Sequence, residues 1–259
     1  MASCSAFSTK SIKMAFVGVI PSRYASTRFP GKPLALIQGK PMVQWVYERS
    51  RMSALDQVVV ATDDDRIFSA VQAFHGEVVM TASTHRSGTE RCAEVARSLN
   101  LQPADIVVNI QGDEPFISPD AIRQLTELFR RPEVRIATLA KEFLPEEEPA
   151  NPNMVKVVCD RSGRALYFSR SPIPYYRNTQ VARHHFRHVG IYAYRCDVLQ
   201  QLVALPASDL EDAEQLEQLR WLDNGYDIFV SPCTYDNISI DTPEDLTRAE
   251  VFAKTFIKS

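Results

Sequence analysis

The chain has 259 residues, of which 45% are hydrophobic, enough to bury a full core. A formal net charge of −3 argues against a general nucleic-acid binder, which carries a basic surplus. The five cysteines, Cys4, Cys92, Cys159, Cys196 and Cys233, form an odd set without CxxC spacing, which argues against a disulfide framework or a structural zinc site and fits a reducing cytosol.

Residues 1 to about 13 are Ser-rich and read as a loose tail. The apolar run Met14–Ile20 is too short to span a membrane, so no membrane insertion is expected. Ala15–Ile20 reads as a buried strand, as do Gln57–Ala61, Glu77–Met80 and Asp105–Ile110. Helical patterns lie between them. Pro41 suits a first helical position before Met42, Val43, Trp45 and Val46. Asp63 is placed to cap a helix whose core face is Ile67, Phe68, Val71 and Phe74, stopped at Gly76. Thr89–Leu99 repeats the period, and Ser118-Pro119-Asp120 opens another helix through Leu128. This alternation predicts an α/β fold, a mainly parallel central sheet with helices on both faces.

The second half is less regular. Val134–Ala140, Met154–Cys159, His188–Tyr194 and Asp227–Ser231 read as strands, and Leu210–Leu222 and Pro243–Phe256 as helices. The proline-bearing stretches 145–153 and 171–185 read as loops. With no repeat and no clear linker, one domain spanning 1–259, with an inserted arm at about 155–195, is the expected organisation.

Three segments carry chemistry. The loop Pro21–Pro33 follows the first strand, at the edge where open parallel sheets bind ligands. Arg23, Arg28 and Lys32 with Gly31 offer the cations and backbone N–H groups a polyphosphate needs; the bland alternative is a solvated basic loop. No GxGxxG or Walker A sequence occurs. Asn109-Ile110-Gln111-Gly112-Asp113-Glu114-Pro115 ends an apolar strand in carboxylates, suited to Mg2+, which takes one or two protein carboxylates plus water and phosphate oxygens. Ser118 already caps the next helix, so Asp113 is free for that role. Ile238–Asp241 reads as a short strand entering a helix, and there Asp241 either binds metal or caps the helix; spacing alone favours the cap.

RYASTRFPGKPL (23–34), SGTER (87–91), NIQGDEP (109–115), ALYFSR (165–170), HVGIYAYR (188–195), LEQLR (216–220) and DTPEDL (241–246) occur in that order. Together they resemble the 3-deoxy-manno-octulosonate (Kdo) cytidylyltransferase family, from about Ala15 to the last helix. The resemblance implies a nucleotide-diphospho-sugar transferase-like fold, a Mg2+ cofactor, a cytoplasmic homodimer with a dimerisation arm, and the reaction CTP + Kdo → CMP-Kdo + diphosphate of lipopolysaccharide biosynthesis. It resolves Asp241 towards metal, beside Asp113. It implies that Arg23 and Lys32, with Arg28, hold the triphosphate. It gives Ser87 and Gly88 to the cytosine, and Gln111, Arg170, His188, Tyr192, Glu217 and Gln218 to the sugar acid, with Arg170 as the guanidinium for its carboxylate.

Overall fold

The computed structural model describes residues 14–25, 29–236 and 238–256. The N-terminal tail and Arg28 lie outside them. In chain order the elements are β1 (Phe16–Ser22), β2 (Leu36–Ile37), β3 (Lys40–Pro41), α1 (Met42–Arg51), β4 (Gln57–Thr62), α2 (Asp65–Ala73), β5 (Val78–Met80), α3 (Gly88–Ser98), β6 (Ile106–Asn109), α4 (Pro119–Glu127), β7 (Ile136–Glu142), β8 (Lys156–Cys159), β9 (Ala165–Ser169), β10 (Phe186–Arg195), α5 (Cys196–Leu202), α6 (Asp209–Glu214), α7 (Glu217–Asp223), β11 (Phe229–Pro232) and α8 (Pro243–Phe256).

The main sheet runs β11-β7-β10-β6-β1-β4-β5, with the β8–β9 pair attached to β10. β1 pairs in parallel with both β4 and β6. The chain therefore winds outward on both sides of β1, and the crevice between β1 and β6 at their carboxyl ends is a switch point where such sheets bind ligands. Alternate residues of each strand feed two cores. Val59 and Ala61 face α3, α5 and α7 through Cys92, Val95, Leu199 and Leu219. Val58 and Val60 face α1, α2 and α4 through Val46, Ile67 and Leu125. A third cluster packs Ala249 and Ala253 of α8 on Ile37, Trp45 and Phe116, which holds the late segment 238–242 against the early loops.

Three local expectations are corrected, and one strand's direction is added. Asp64, not Asp63, caps α2, its Oδ1 accepting from Arg66 N at 3.0 Å; Asp63 instead pairs at 2.9 Å with the buried Arg91. The expected helix 210–222 is two helices, because Gln215 takes a left-handed backbone (φ 52°) that ends α6 before Leu216 restarts α7. Segment 238–241 is not a strand. β10 runs antiparallel to its neighbours β6 and β7, which the period of its residues could not reveal. That reversal puts the start of β10 at the edge where β1 and β6 end. β9 and α5 were not anticipated as elements.

Candidate active site

The loop after β1 is shaped by its own backbone. Gly31 adopts φ 72°, donates from N to Tyr24 O at 2.9 Å, and has the Tyr24 ring where a Cβ would stand, at 3.1 Å. A side chain here would meet both a strained φ and a filled space. The turn closed in this way feeds the short 3-10 turn Lys32–Leu34 and aims Lys32 back across the strand ends. The loop after β6 comes equally close: a Cβ on Gly112 would lie 2.7 Å from Pro21 O. Ile240 N donates to Asp113 O at 2.9 Å, which fastens the late segment to the same point.

These constraints converge on one ionic centre. Lys32 Nζ lies 2.7 Å from Asp113 Oδ2 and 3.2 Å from Asp241 Oδ1. Asp241 is not the cap of α8. Thr242 Oγ1 accepts from Asp245 N at 3.3 Å, and Asp245 Oδ2 in return accepts from Thr242 N at 2.9 Å and Asp241 N at 3.0 Å. This reciprocal box satisfies the helix start without the Asp241 carboxylate, so the cap favoured by spacing is overturned. Two carboxylates thus face one cation position, now taken by an ammonium. Such hard oxygen donors fit Mg2+. Among the described residues no group of three or more His, Cys, Asp or Glu forms a metal cluster, so further ligands would come from substrate oxygens and water.

The centre divides two adjoining cavities. One, of about 420 Å3, is lined by Pro21, Ser22, Arg23, Lys32, Asp113 and Asp241, among others. The second, also about 420 Å3, shares Gln111, Asp113 and Asp241 with the first and continues to Asn153, Arg187 and His188. Ser87 and Gly88 are not on the wall of the first, but Gly88 packs against its Pro21. Ser87 Oγ caps α3, accepting from Glu90 N at 3.2 Å, and a Cβ on Gly88 would lie 3.4 Å from Pro21 Cγ. A third cavity, about 530 Å3, lies against the β8–β9 hairpin; Val157, Val158, Phe186 and Val230 give it mainly apolar walls unsuited to a polyphosphate.

In the second cavity, Gln111 Nε2 donates to Gly190 O at 2.8 Å, locking the loop after β6 to β10. Between Val189 and Tyr192 the pairing with β7 shifts by a bulge. His188 and Tyr192 nevertheless share a face, as their spacing predicts, with ring centroids 5.1 Å apart. His188 Nε2 lies 2.9 Å from Thr138 Oγ1, and burial pushes its pKa down to about 3, so the ring is neutral at working pH. Tyr192 packs on Trp221, and its buried hydroxyl has no hydrogen-bond partner. Glu217, expected on a solvated helix face, is instead half-buried. It accepts from Thr89 Oγ1 at 2.8 Å, and burial raises its pKa. Gln218 is buried beside it.

The structure therefore gathers Arg23, Lys32, Gln111, Asp113, Asp241 and His188 on the walls of two joined cavities, with Gly88 packed behind Pro21. Tyr192 packs on His188, while Glu217 faces Thr89 and Gln218 is buried next to it in α7. Arg170 is not on the wall of either cavity, but it borders the second: its Nη1 donates to the carbonyl of Pro152 (2.9 Å), next to Asn153, and its Nε and Nη2 donate to those of Glu214 (2.7 Å) and Gln215 (3.2 Å). Sequence reasoning missed Arg187, Asn153 and Ser239 on the second cavity. Arg187 immediately precedes a motif already singled out, and only the reversal of β10 brings it to this edge.

Known proteins fit this geometry. The Cytidylyltransferase family model matches residues 17–228. A 3-deoxy-manno-octulosonate cytidylyltransferase of Phocaeicola vulgatus is 51% identical over 93% of this chain and 98% of its own. One from Thermodesulfovibrio yellowstonii is 49% identical over 94% of this chain and 100% of its own. The solved structure of a CMP:2-keto-3-deoxy-manno-octonic acid synthetase complexed with CTP superposes with a TM-score of 0.87 at 46% identity, covering 93% of this chain and 99% of that one. The chain belongs to the cytidylyltransferases and, among them, to the 3-deoxy-manno-octulosonate cytidylyltransferase family.

Proposed function

We propose that the chain transfers CMP from CTP to the anomeric hydroxyl of Kdo, releasing diphosphate. One observation carries this reading: two cavities meet at a shared wall of Gln111, Asp113 and Asp241, with the Lys32 ammonium on both carboxylates. Transfer to a phosphorus needs donor and acceptor on the two sides of one charged seam, and catalysis there is mostly positioning and charge neutralisation.

Arg23 and Lys32 hold the triphosphate in the first cavity, and the start of α3 at Ser87 and Gly88 meets the cytosine. Gln111 and the neutral His188 orient the sugar acid in the second, so that its hydroxyl meets the α-phosphorus in line with the departing diphosphate. Tyr192, Glu217 and Gln218 support that wall. Asp113 and Asp241 hold Mg2+, which when bound neutralises charge on the phosphate and acceptor oxygens. We further propose a homodimer formed through the β8–β9 region, where Leu166 is 57% and Tyr175 87% exposed beside the apolar cavity. A reducing, cytoplasmic setting suits the free thiols of Cys92, Cys159, Cys196 and Cys233. No helix among the described residues is long and apolar enough to cross a membrane.

The test is diphosphate release from CTP and Mg2+ with and without Kdo. Kdo-dependent release, absent with ATP, GTP or sialic acid, is expected. No release with Kdo but release with another sugar acid would replace the substrate.

A further inference from the structure

We infer that Tyr235 and Glu114 are positioning residues for the reaction: their hydrogen bond ties the segment that carries Asp241 to the loop that carries Asp113, and so keeps both carboxylates on one cation position. The inference rests on the reading above, in which those carboxylates hold Mg2+.

The two carboxylates reach the seam by very different routes. Asp113 follows directly on β6, in the middle of the sheet. Asp241 comes from the stretch between Pro232, where β11 ends, and Pro243, where α8 begins, and no described residue of that stretch lies in a strand or helix. A chain without regular backbone pairing keeps a fixed place only through its anchors. Yet Asp241 Oδ1 must stand beside the same ammonium as Asp113 Oδ2.

The anchors before Asp241 are three. Cys233 N donates to Ala140 O at 2.8 Å, which continues the course of β11 along β7. Asp236 pairs with Lys141 and, at 2.6 Å, with Arg187, two cations that stand opposite one another on β7 and β10. Both of these anchors fasten the stretch to the sheet. The third is different. Tyr235 packs its ring against the second core and donates from its hydroxyl to Glu114 Oε2 at 3.2 Å. Glu114 is buried and is the chain neighbour of Asp113. Burial raises the pKa of Tyr235, as does the adjacent Glu114, so the phenol keeps its proton and remains a donor.

Together with Ile240 N, which donates to Asp113 O at 2.9 Å, this bond holds the stretch to the Asp113 loop at two separate points. One point leaves the segment free to pivot about it, whereas two fix its direction. The Tyr235 hydroxyl touches neither carboxylate of the seam; it acts on Asp241 through the backbone between them.

The test reads metal binding directly. Mn2+ is titrated into the enzyme with a non-hydrolysable CTP analogue, and free Mn2+ is followed by electron paramagnetic resonance. Asp241→Asn gives the binding that remains without the carboxylate pair. Tyr235→Phe removes only the hydroxyl and should weaken the Mn2+ site by about tenfold, the lower end of what loss of an outer-shell partner costs. The Mg2+ concentration for half-maximal diphosphate release should rise in parallel, and saturating Mg2+ should restore most of the lost rate. Glu114→Gln keeps the shape and a neutral acceptor, and should weaken the site by about threefold. A purely structural bond would lower the unfolding temperature of Tyr235→Phe and leave its Mn2+ affinity at the parental value; that result overturns the inference. If Tyr235→Phe does not fold, Glu114→Gln decides, and parental affinity there overturns it equally. A parent that binds Mn2+ no better than Asp241→Asn would sink the metal reading instead, and one that releases no diphosphate with Kdo would sink the transferase reading.

Discussion

The two cavities on either side of Asp113 and Asp241 are assembled in opposite ways. The nucleotide side is made by contiguous loops at the ends of parallel strands. Arg23 and Lys32 come from one, Gln111 and Asp113 from the next, and the glycines at 31 and 112 allow the backbones to approach. Its charged groups are partly exposed, as the 14% and 26% side-chain exposures of Lys32 and Asp113 show. The side proposed for the acceptor draws on a reversed strand, a broken helix and a distant loop; Asn153 and Ser239 on its wall are exposed, whereas Gln218 and Tyr192 are only 6% and 7% exposed and His188 is held neutral. The first side works by charge held at a solvent-accessible edge. On that reading the second works more by shape, with a neutral His188 packed on the buried Tyr192.

If that contrast is right, the largest effect of a single atom change falls on the seam between the sides. Asp113→Asn should lower the rate of diphosphate release by on the order of 100-fold or more, comparable to loss of one electrostatic stabiliser. Its thermal stability should change little, since the carboxylate is not packed in a core. Asp241→Asn should behave alike. Near-normal turnover in either variant would remove the carboxylate pair from the reaction.

The same contrast explains what could be read in advance. The parallel half of the sheet and the nucleotide loops were legible because each is coded by a short run: an apolar strand, then a glycine-bearing loop, then a capped helix such as Ser118 with α4. The acceptor side was not, for three local reasons. Gln215 carries no signal that it will leave the helical region, so α6 and α7 read as one helix. The antiparallel course of β10 depends on its partners, and alternation looks the same in either direction. Glu217 looked like a charge on a wet face, because burial of a carboxylate depends on Thr89 arriving from a helix more than a hundred residues away. Asp241 shows the opposite failure. Its local signal pointed to a cap, and only the box between Thr242 and Asp245 reveals that the cap was already filled.

The buried character of the acceptor side can be probed through pH. The folded-state pKa of His188, about 3, is below the value of 6.5 for a free imidazole. The unfolded chain therefore takes up the proton first, and stability falls as pH drops below about 6.5. By pH 5 this amounts to about 2 kcal/mol. His188→Gln should shrink the loss of stability between pH 7 and pH 5 by about that amount, measured by urea unfolding at each pH. An unchanged loss would mean that the folded site admits the proton. A smaller effect separates function from structure at the start of α8. Thr242→Ala should cost about 1 kcal/mol, as loss of an N-cap does, whereas the neighbouring Asp241→Asn should cost almost none in the same unfolding experiment.

The smallest expected effect is the most informative about the acceptor side. Burial raises the Glu217 pKa, and the hydrogen bonds from Thr89 and Ser87 only partly oppose this. The folded chain therefore holds the Glu217 proton more tightly than the unfolded chain does. As pH rises past the ordinary glutamate value of 4.5, the unfolded chain ionises first, so stability falls until the folded pKa is passed and the deficit is then constant. Glu217→Gln keeps the shape and lacks the deficit. It should unfold at a higher temperature than the parent at pH 8 and at nearly the same temperature at pH 4. Equal stability at both values would mean that the hydroxyls of Thr89 and Ser87 compensate fully for burial and hold Glu217 charged at no cost. The interior beside the Tyr192 hydroxyl would then carry a fixed negative charge.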